Sequence, residues 1–265
     1  MAEAFLEPIL LLSSVNPFSL LVVFLFGSVF GSFLNVVIYR TPLERSVVLP
    51  GSACTVCGTP LRWWHNVPIL SYFLLHGRCY FCGSGFSARY MLMEAFVAAA
   101  AALLFAHFGC SVAFLHAFAL FFLATAVFFT DLDHWIIPDQ VNFAGMALGL
   151  VLSLWMPPTQ DFSAFQENLS LPVWALNLLS SALGILIGLL FFWAIQVVGT
   201  LLARQEAMGG GDVKFAGLLG AFLGWKMALL AFLLSFFLGA LVAIPLMLLR
   251  RGRGKEPIPF GTFMA

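Results

Sequence analysis

Apolar residues run in long blocks along this chain, and the polar ones gather between the blocks. Runs near 19–39, 90–109, 111–130, 141–156, 174–202 and 227–249 approach or reach the ~20 residues that a helix needs to cross a hydrocarbon core. A shorter run fills 213–225. The pattern predicts an all-α polytopic membrane protein with about seven transmembrane helices. The opening twelve residues carry Glu3 and Glu7 but no Lys or Arg, so the first run reads as a retained helix and not as a cleaved signal.

Composition agrees. The chain of 265 residues is 62% hydrophobic and 9% charged, with 30 phenylalanines and a mean hydropathy of +1.02, outside the range of soluble domains. Its net charge of zero gives no sign of a nucleic-acid partner. Basic residues set the orientation, because cytoplasmic loops collect them. Arg40, Arg45, Arg62, Arg78 and Arg89 follow the first run; Arg204 and Lys214 flank a glycine loop; Arg250, Arg251, Arg253 and Lys255 follow the last run. If these regions are cytoplasmic, only Lys226 stays on the far side, and the cation-free 157–172 connection faces outward. The arrangement predicts an outside N-terminus and seven crossings that end inside, with 213–225 as a short or tilted one.

No strict internal repeat is visible, and the clearest break in composition is 40–89, rich in Arg, Cys, Trp and Pro. We therefore expect an N-terminal helix at 1–39, a small cytoplasmic subdomain at 40–89 and a helical membrane domain at 90–265. A 50-residue insert has too little core to hold itself without a staple. The knuckles "CTVC" and "CYFC" offer one: Cys54, Cys57, Cys79 and Cys82 have the spacing of a four-thiolate structural zinc site. Disulfides or a dithiol redox pair are the competing readings, which a reducing cytoplasm disfavours. His65 and His76 between the knuckles are expected to be surface or packed residues, and Cys110 a small buried one.

Acid gathers in two places. "TDLDHWIIPD" holds Asp131, Asp133 and Asp139 with Pro138, and "MGGGDVK" holds Asp212 behind Gly209, Gly210 and Gly211. Helix capping by Asp139 and Asp212 is the simple account. However, both segments emerge on one membrane face in the deduced topology, and three glycines add nothing to a cap. They do admit a close backbone, such as a peptide substrate. Two neighbouring carboxylates that share a proton can activate water and polarise an amide carbonyl without a metal.

Five stretches in order resemble the type IV prepilin peptidase family, also called leader peptidase/N-methyltransferase: "GSFLNVVIYRTP" at 31–42, the whole cysteine segment, "TDLDHWIIPD", "GGGDVK" and "IPFGTFMA" at 258–265. The resemblance covers nearly the whole chain. It implies catalytic Asp131 and Asp212, with Gly209, Gly211, Asp133, Asp139 and Lys214 supporting. It also implies cleavage of prepilin or pseudopilin leaders after a glycine, at the cytoplasmic face of the bacterial inner membrane. Methylation of the new N-terminus with S-adenosylmethionine is implied too, in type IV pilus and type II secretion systems. No Gly-rich nucleotide loop is present, and Glu94, an acid within a span, is the one candidate for the cofactor, with pairing to Arg89 as its alternative. The chain departs from the pattern at Ala265, where the family usually continues into one more membrane helix. Rival readings are a G-x-G-D protease of other membrane proteins, which the cysteine segment disfavours, and a non-enzymatic carrier or assembly scaffold. "GSVFG" at 27–31 is expected to pack helices internally. Oligomeric state is not legible.

Overall fold

The computed structural model describes residues 15–157, 171–205, 208–249 and 261–265. Most of the 157–172 connection, the first fourteen residues and the basic stretch 250–255 lie outside these. Regular structure among the described residues is helical, with only the isolated bridges Ala53↔Pro60 and Arg78↔Gly85 besides. The helices are α1 Pro17–Arg40, α2 Leu70–Leu74, α3 Ala88–Phe108, α4 Val112–His134, α5 Asp139–Ser153, α6 Val173–Ala203, α7 Gly210–Leu249 and α8 Gly261–Met264. Asn16 starts α1 by accepting the Phe18 N–H on its side chain, and Pro17 takes the first helical position, where its missing donor costs nothing. Ser87 caps α3 in the same way through Arg89 N.

Five of these, α1, α3, α4, α6 and α7, are long and apolar enough to cross a membrane. Seven separate spans had been expected, and the difference has two sources. Helix α5 has 15 residues, too few for a perpendicular crossing. The runs at 213–225 and 227–249 form one continuous element, interrupted at Gly224 (φ 71°, ψ 175°) but not separated by a loop. A glycine can break the helical path without ending it. The long helices expose large apolar side chains, such as Leu202, Leu233 and Phe237. A lipid solvent rewards that arrangement and water would not.

The chain divides into two compact units, residues 1–118 and 119–265. In the first, α1 and α3 pack side by side. Gly27 and Gly31 lie against the α3 backbone at Ala98 and Glu94, where a β-carbon would come within 2.8 and 2.7 Å. The small-residue face of "GSVFG" thus serves packing within the chain. The cysteine segment is an insert between these two helices. In the second unit, the first half of α7 is wrapped by α5 and α6. Phe215, Ala216 and Leu218 are fully buried, Ser181 donates its hydroxyl to Ala221 O at 2.6 Å, and a side chain on Gly184 or Gly220 would collide with the other's backbone.

Cys110 is not buried as expected. It falls in the short turn between α3 and α4, not inside either helix, and neither helix covers it.

Candidate active site

The second unit brings the two acidic segments together. Helix α4 runs on past the apolar block, so Asp131 and Asp133 stand in its last turn and not in a loop. The helix then stops at Trp135, whose φ of 58° is left-handed and whose N–H still reaches Asp131 O at 2.9 Å. Ile137 and Pro138 follow, and α5 begins. Of the acids here, only Asp131 is buried. Asp133 is exposed.

Capping of α5 by Asp139 was one of the readings open. No capping bond forms; its two oxygens instead take the Lys214 ammonium, each at 2.6 Å. Lys214 also lies 5.6 Å from the Phe143 ring. The pair is partly exposed, so its electrostatic worth is small. Geometrically, it ties the start of α5 to the start of α7.

Asp212 was likewise weighed as a cap, and it sits too far into α7 for that. It occupies the first helical turn, with its own N–H on Gly209 O at 3.2 Å. Its side chain is buried, and Oδ1 has no hydrogen-bond partner among the described residues. The glycine loop before it is held at both ends. Gln196 donates to Met208 O at 3.0 Å, and the fully buried Asn142 reaches toward Gly211 O at 3.4 Å.

The glycines divide their work unequally. A β-carbon on Gly211 would stand 2.9 Å from Ile137 Cβ and 3.3 Å from Ile137 O. Gly211 is therefore small so that the two acidic turns can touch, and not only to admit a substrate. Gly210 has nothing within 4 Å of such an atom, so any room for an outside chain lies there.

A third segment closes the site. Thr262 donates both its N–H, at 2.8 Å, and its hydroxyl, at 3.0 Å, to Asp131 Oδ2. The Gly261 N–H points to Asp212, which also feels the Asp131 charge. A single dipeptide, Gly261-Thr262, thus spans both carboxylates. Residues 258–260 of the "IPFGTFMA" motif lie outside the described residues. Sequence reasoning quoted this motif without singling out Thr262, and it missed Asn142. Asn142 carried a legible signal, the one amide within the apolar run 141–156, which is expensive in lipid unless it has a partner.

In the first unit the four thiols of Cys54, Cys57, Cys79 and Cys82 lie within 4.8 Å of one another. The two knuckles are built alike. Cys54 N donates to Thr59 O and Gly58 N to Cys54 O; Cys79 N donates to Ser84 O and Gly83 N to Cys79 O. Gly58 and Gly83 both sit at positive φ, as such turns require. Cys54 Sγ and Cys82 Sγ are 3.9 Å apart, close to the roughly 3.8 Å edge of a tetrahedron with 2.3 Å metal–sulfur bonds. None of these thiols is in a disulfide. The Cys57 N–H, then the Val56 N–H and the Ser84 hydroxyl, hold the Cys54 thiol down to about 6. Cys82 is lowered by the Ser84 hydroxyl and N–H. Cys79 is drawn down by the Cys82 N–H, yet burial and the neighbouring thiols leave it raised. The first thiolates form readily and the next need a compensating cation, as a metal site requires. His65 is buried against Tyr80 and Phe81, and His76 is on the surface.

Fold and site together define a multi-pass helical membrane protein with two facing acidic turns and a four-cysteine cluster. The comparisons carry this further. Residues 25–108 match the bacterial peptidase A24 N-terminal domain, and residues 117–244 match the type IV leader peptidase family. A prepilin leader peptidase/N-methyltransferase of Myxococcus xanthus is 37% identical over 90% of this chain and 66% of its own length. Proteins of that name from Pseudomonas putida and Aeromonas hydrophila are each 34% identical, over 90% and 92% of this chain and 85% and 86% of their own. The chain belongs to the type IV leader peptidase family. No solved structure matches it.

Proposed function

We propose that this protein is a bifunctional prepilin-processing enzyme whose peptidase centre is the Asp131–Asp212 pair. The observation that carries the assignment is the convergence of both carboxylates on Gly261-Thr262. The relatives' shared name supports both activities, because each is called a peptidase and an N-methyltransferase.

Asp131, which receives two donors on one oxygen, is the ionised member, since such bonds favour the charged form. The shared proton sits on Asp212, whose Oδ1 has no other partner. Asp131 takes a proton from water as the water oxygen attacks the scissile carbonyl carbon. Asp212 hydrogen-bonds the carbonyl oxygen. The carbon–nitrogen bond then breaks, with a proton passed to the leaving nitrogen, to give an acid and an amine. S-adenosylmethionine would supply the methyl group for that new amine.

Asp133, Asp139, Lys214, Gly209 and Gly211 support the pair: Lys214–Asp139 fixes the two turns in register, and Gly211 lets them meet. The basic residues of 40–89 and around 204–214 favour an active site at the cytoplasmic face of the inner membrane. Counting α5 and both halves of α7 as crossings restores seven. The three-part division at residues 39 and 89 is kept, with the middle part a structural zinc module.

Incubation of purified protein with a prepilin and methyl-labelled S-adenosylmethionine tests the whole reading. The substrate should lose its leader and then gain label. An intact prepilin after complete mixing would refute the peptidase assignment.

Two further outcomes are expected. Thr262→Val keeps the backbone donor but removes the hydroxyl from Asp131; a bond to a charged group is worth ~1.5–3 kcal/mol, so cleavage should fall on the order of tenfold to a hundredfold. Thr262→Ser should restore most of it, measured as initial rate on the same substrate. Purified wild type should carry one zinc per chain. Cys54→Ser should lose it and expose 45–89 to protease, read by metal analysis and limited digestion.

A further inference from the structure

The first unit contains a cavity of about 220 Å³, lined on one side by α1 and α3 and on the other by the cysteine segment. Three features mark it as a built site and not slack packing. His65 lines it, is 6% exposed, and has no partner for Nδ1 among the described residues. A buried polar atom without a partner costs ~1–3 kcal/mol, so it calls for a ligand or a water. Glu94, half-buried in the same wall, accepts the Ile69 N–H at 2.7 Å. Ile69 itself is strained. Its φ of 63° and ψ of −54°, with Leu70 N on Pro68 O, form a γ-turn of the rarer hand, unfavourable for a β-branched residue. Strain of this kind persists where the surroundings hold it, and here the Glu94 carboxylate is what holds it.

The wall is rigid elsewhere too. Arg40 binds the carbonyls of Ser46, Pro50 and Gly51, which locks the segment leading into the first knuckle. The lining therefore combines one acid, one base, an orphaned imidazole nitrogen and the rings of Tyr39, Tyr72 and Tyr90. Flat rings suit a purine. Glu94 suits a ribose diol or an ammonium, and Arg40 suits a carboxylate. A nucleoside that bears an amino-acid tail presents all of these groups at once. An acyl chain presents none. A second hollow of about 280 Å³ adjoins through the shared residues Ser32, Val36 and Ser52, and its wall is apolar at Val29, Phe33 and Val48. It offers the end of an acceptor chain a place beside the donor.

We propose that this cavity binds S-adenosylmethionine, with Glu94 and His65 as its recognition residues. No glycine-rich loop is needed, because the pocket is walled by a helix pair and the cysteine insert. The inference rests on the methyltransferase reading above and adds a location to it.

The test uses the full-length protein in detergent. Ultraviolet irradiation with methyl-labelled S-adenosylmethionine should attach label to peptides within 32–94. Equilibrium dialysis with S-adenosylhomocysteine should show one site per chain. Glu94→Gln retains an oxygen for Ile69 N–H, and His65→Phe retains the stack on Tyr80. Each should weaken binding about tenfold or more, the loss of one good polar contact, while zinc content stays that of wild type. Label confined to 119–265, or wild-type affinity in both variants, would overturn the location. A wild type that methylates a prepilin but labels elsewhere sinks only this proposal. One that neither methylates nor binds sinks the methyltransferase reading with it.

Discussion

Asp131→Asn and Asp212→Asn should each reduce leader cleavage by at least ~10³-fold, within the 10²–10⁴ that a positioned acid or base supplies plus the loss of its partner's proper protonation. Asparagine keeps the shape of either side chain and cannot take a proton from water or hold the shared one. At Asp131 it still offers an oxygen to Thr262, so the closing segment stays docked. At Asp212 it fills the same buried space, and its amide can even find the partner that Oδ1 lacks. Both variants should therefore remain folded, with unchanged helical circular dichroism and full zinc content. Asp133→Asn is the comparison: the residue is exposed two positions past Asp131 on α4, so it supports the pair without taking part in the proton transfer, and its variant should keep substantial activity. Normal processing by either dyad variant, followed by mass spectrometry of the pilin, would remove the catalytic assignment altogether.

How much of this was legible beforehand depends on the length scale of each signal. Apolar runs of twenty residues announced α1, α3, α4 and α6 to within a few positions, because lipid leaves a long helix no alternative to being apolar. The four thiols announced their cluster by spacing alone, since two short turns leave little freedom in where the sulfurs go. The end of α4 was harder. Asp131 and Asp133 look like loop residues by polarity, yet the helix carries them, and only the left-handed Trp135 stops it. The join at Gly224 was illegible for a related reason: a break without a loop leaves no polar interval to read. Long-range polar contacts were hidden as well. Gln196 to Met208, Asn142 to Gly211 and Thr262 to Asp131 connect residues separated by between 12 and 131 positions. No local pattern encodes such pairings.

Capping, one of the two explanations first open for the acidic turns, gives way to contact between the turns, and substrate access is narrowed to Gly210. Polar groups that lie in lipid-bounded space must find partners within the protein. Here the partners are other turns: Asp139 finds Lys214, the Gly211 carbonyl finds Asn142, and Asp131 finds Thr262. Each contact joins one of these turns to another segment and so helps to hold the proposed catalytic pair in place. The same economy explains why the glycines cannot all serve one purpose.

Substitution of alanine at each of three glycines should separate those purposes. Gly261→Ala places a methyl group 2.9 Å from Asp131 Oδ2, 3.2 Å from its Cγ and still nearer Ile137 Cδ1. Ile137 can turn a terminal methyl aside, but the carboxylate can yield only by leaving Thr262. A displacement of about 1 Å at a reacting group costs on the order of a hundredfold, so cleavage should fall by about that factor. Gly211→Ala meets Ile137 Cβ and its carbonyl, atoms that no rotamer can move. The two acidic turns must part, and the loss should be at least as large. Gly210→Ala meets nothing and stands at the start of α7, where alanine favours the helix. If the glycines serve contact between the turns, this variant cleaves like wild type. If they instead admit the substrate backbone at that point, Gly210→Ala alone should raise KM while Gly211→Ala and Gly261→Ala lower kcat. Steady-state kinetics on a soluble prepilin fragment distinguishes the two, and equal losses at all three positions would contradict the close approach of Gly211 and Gly261 as the reason for their identity.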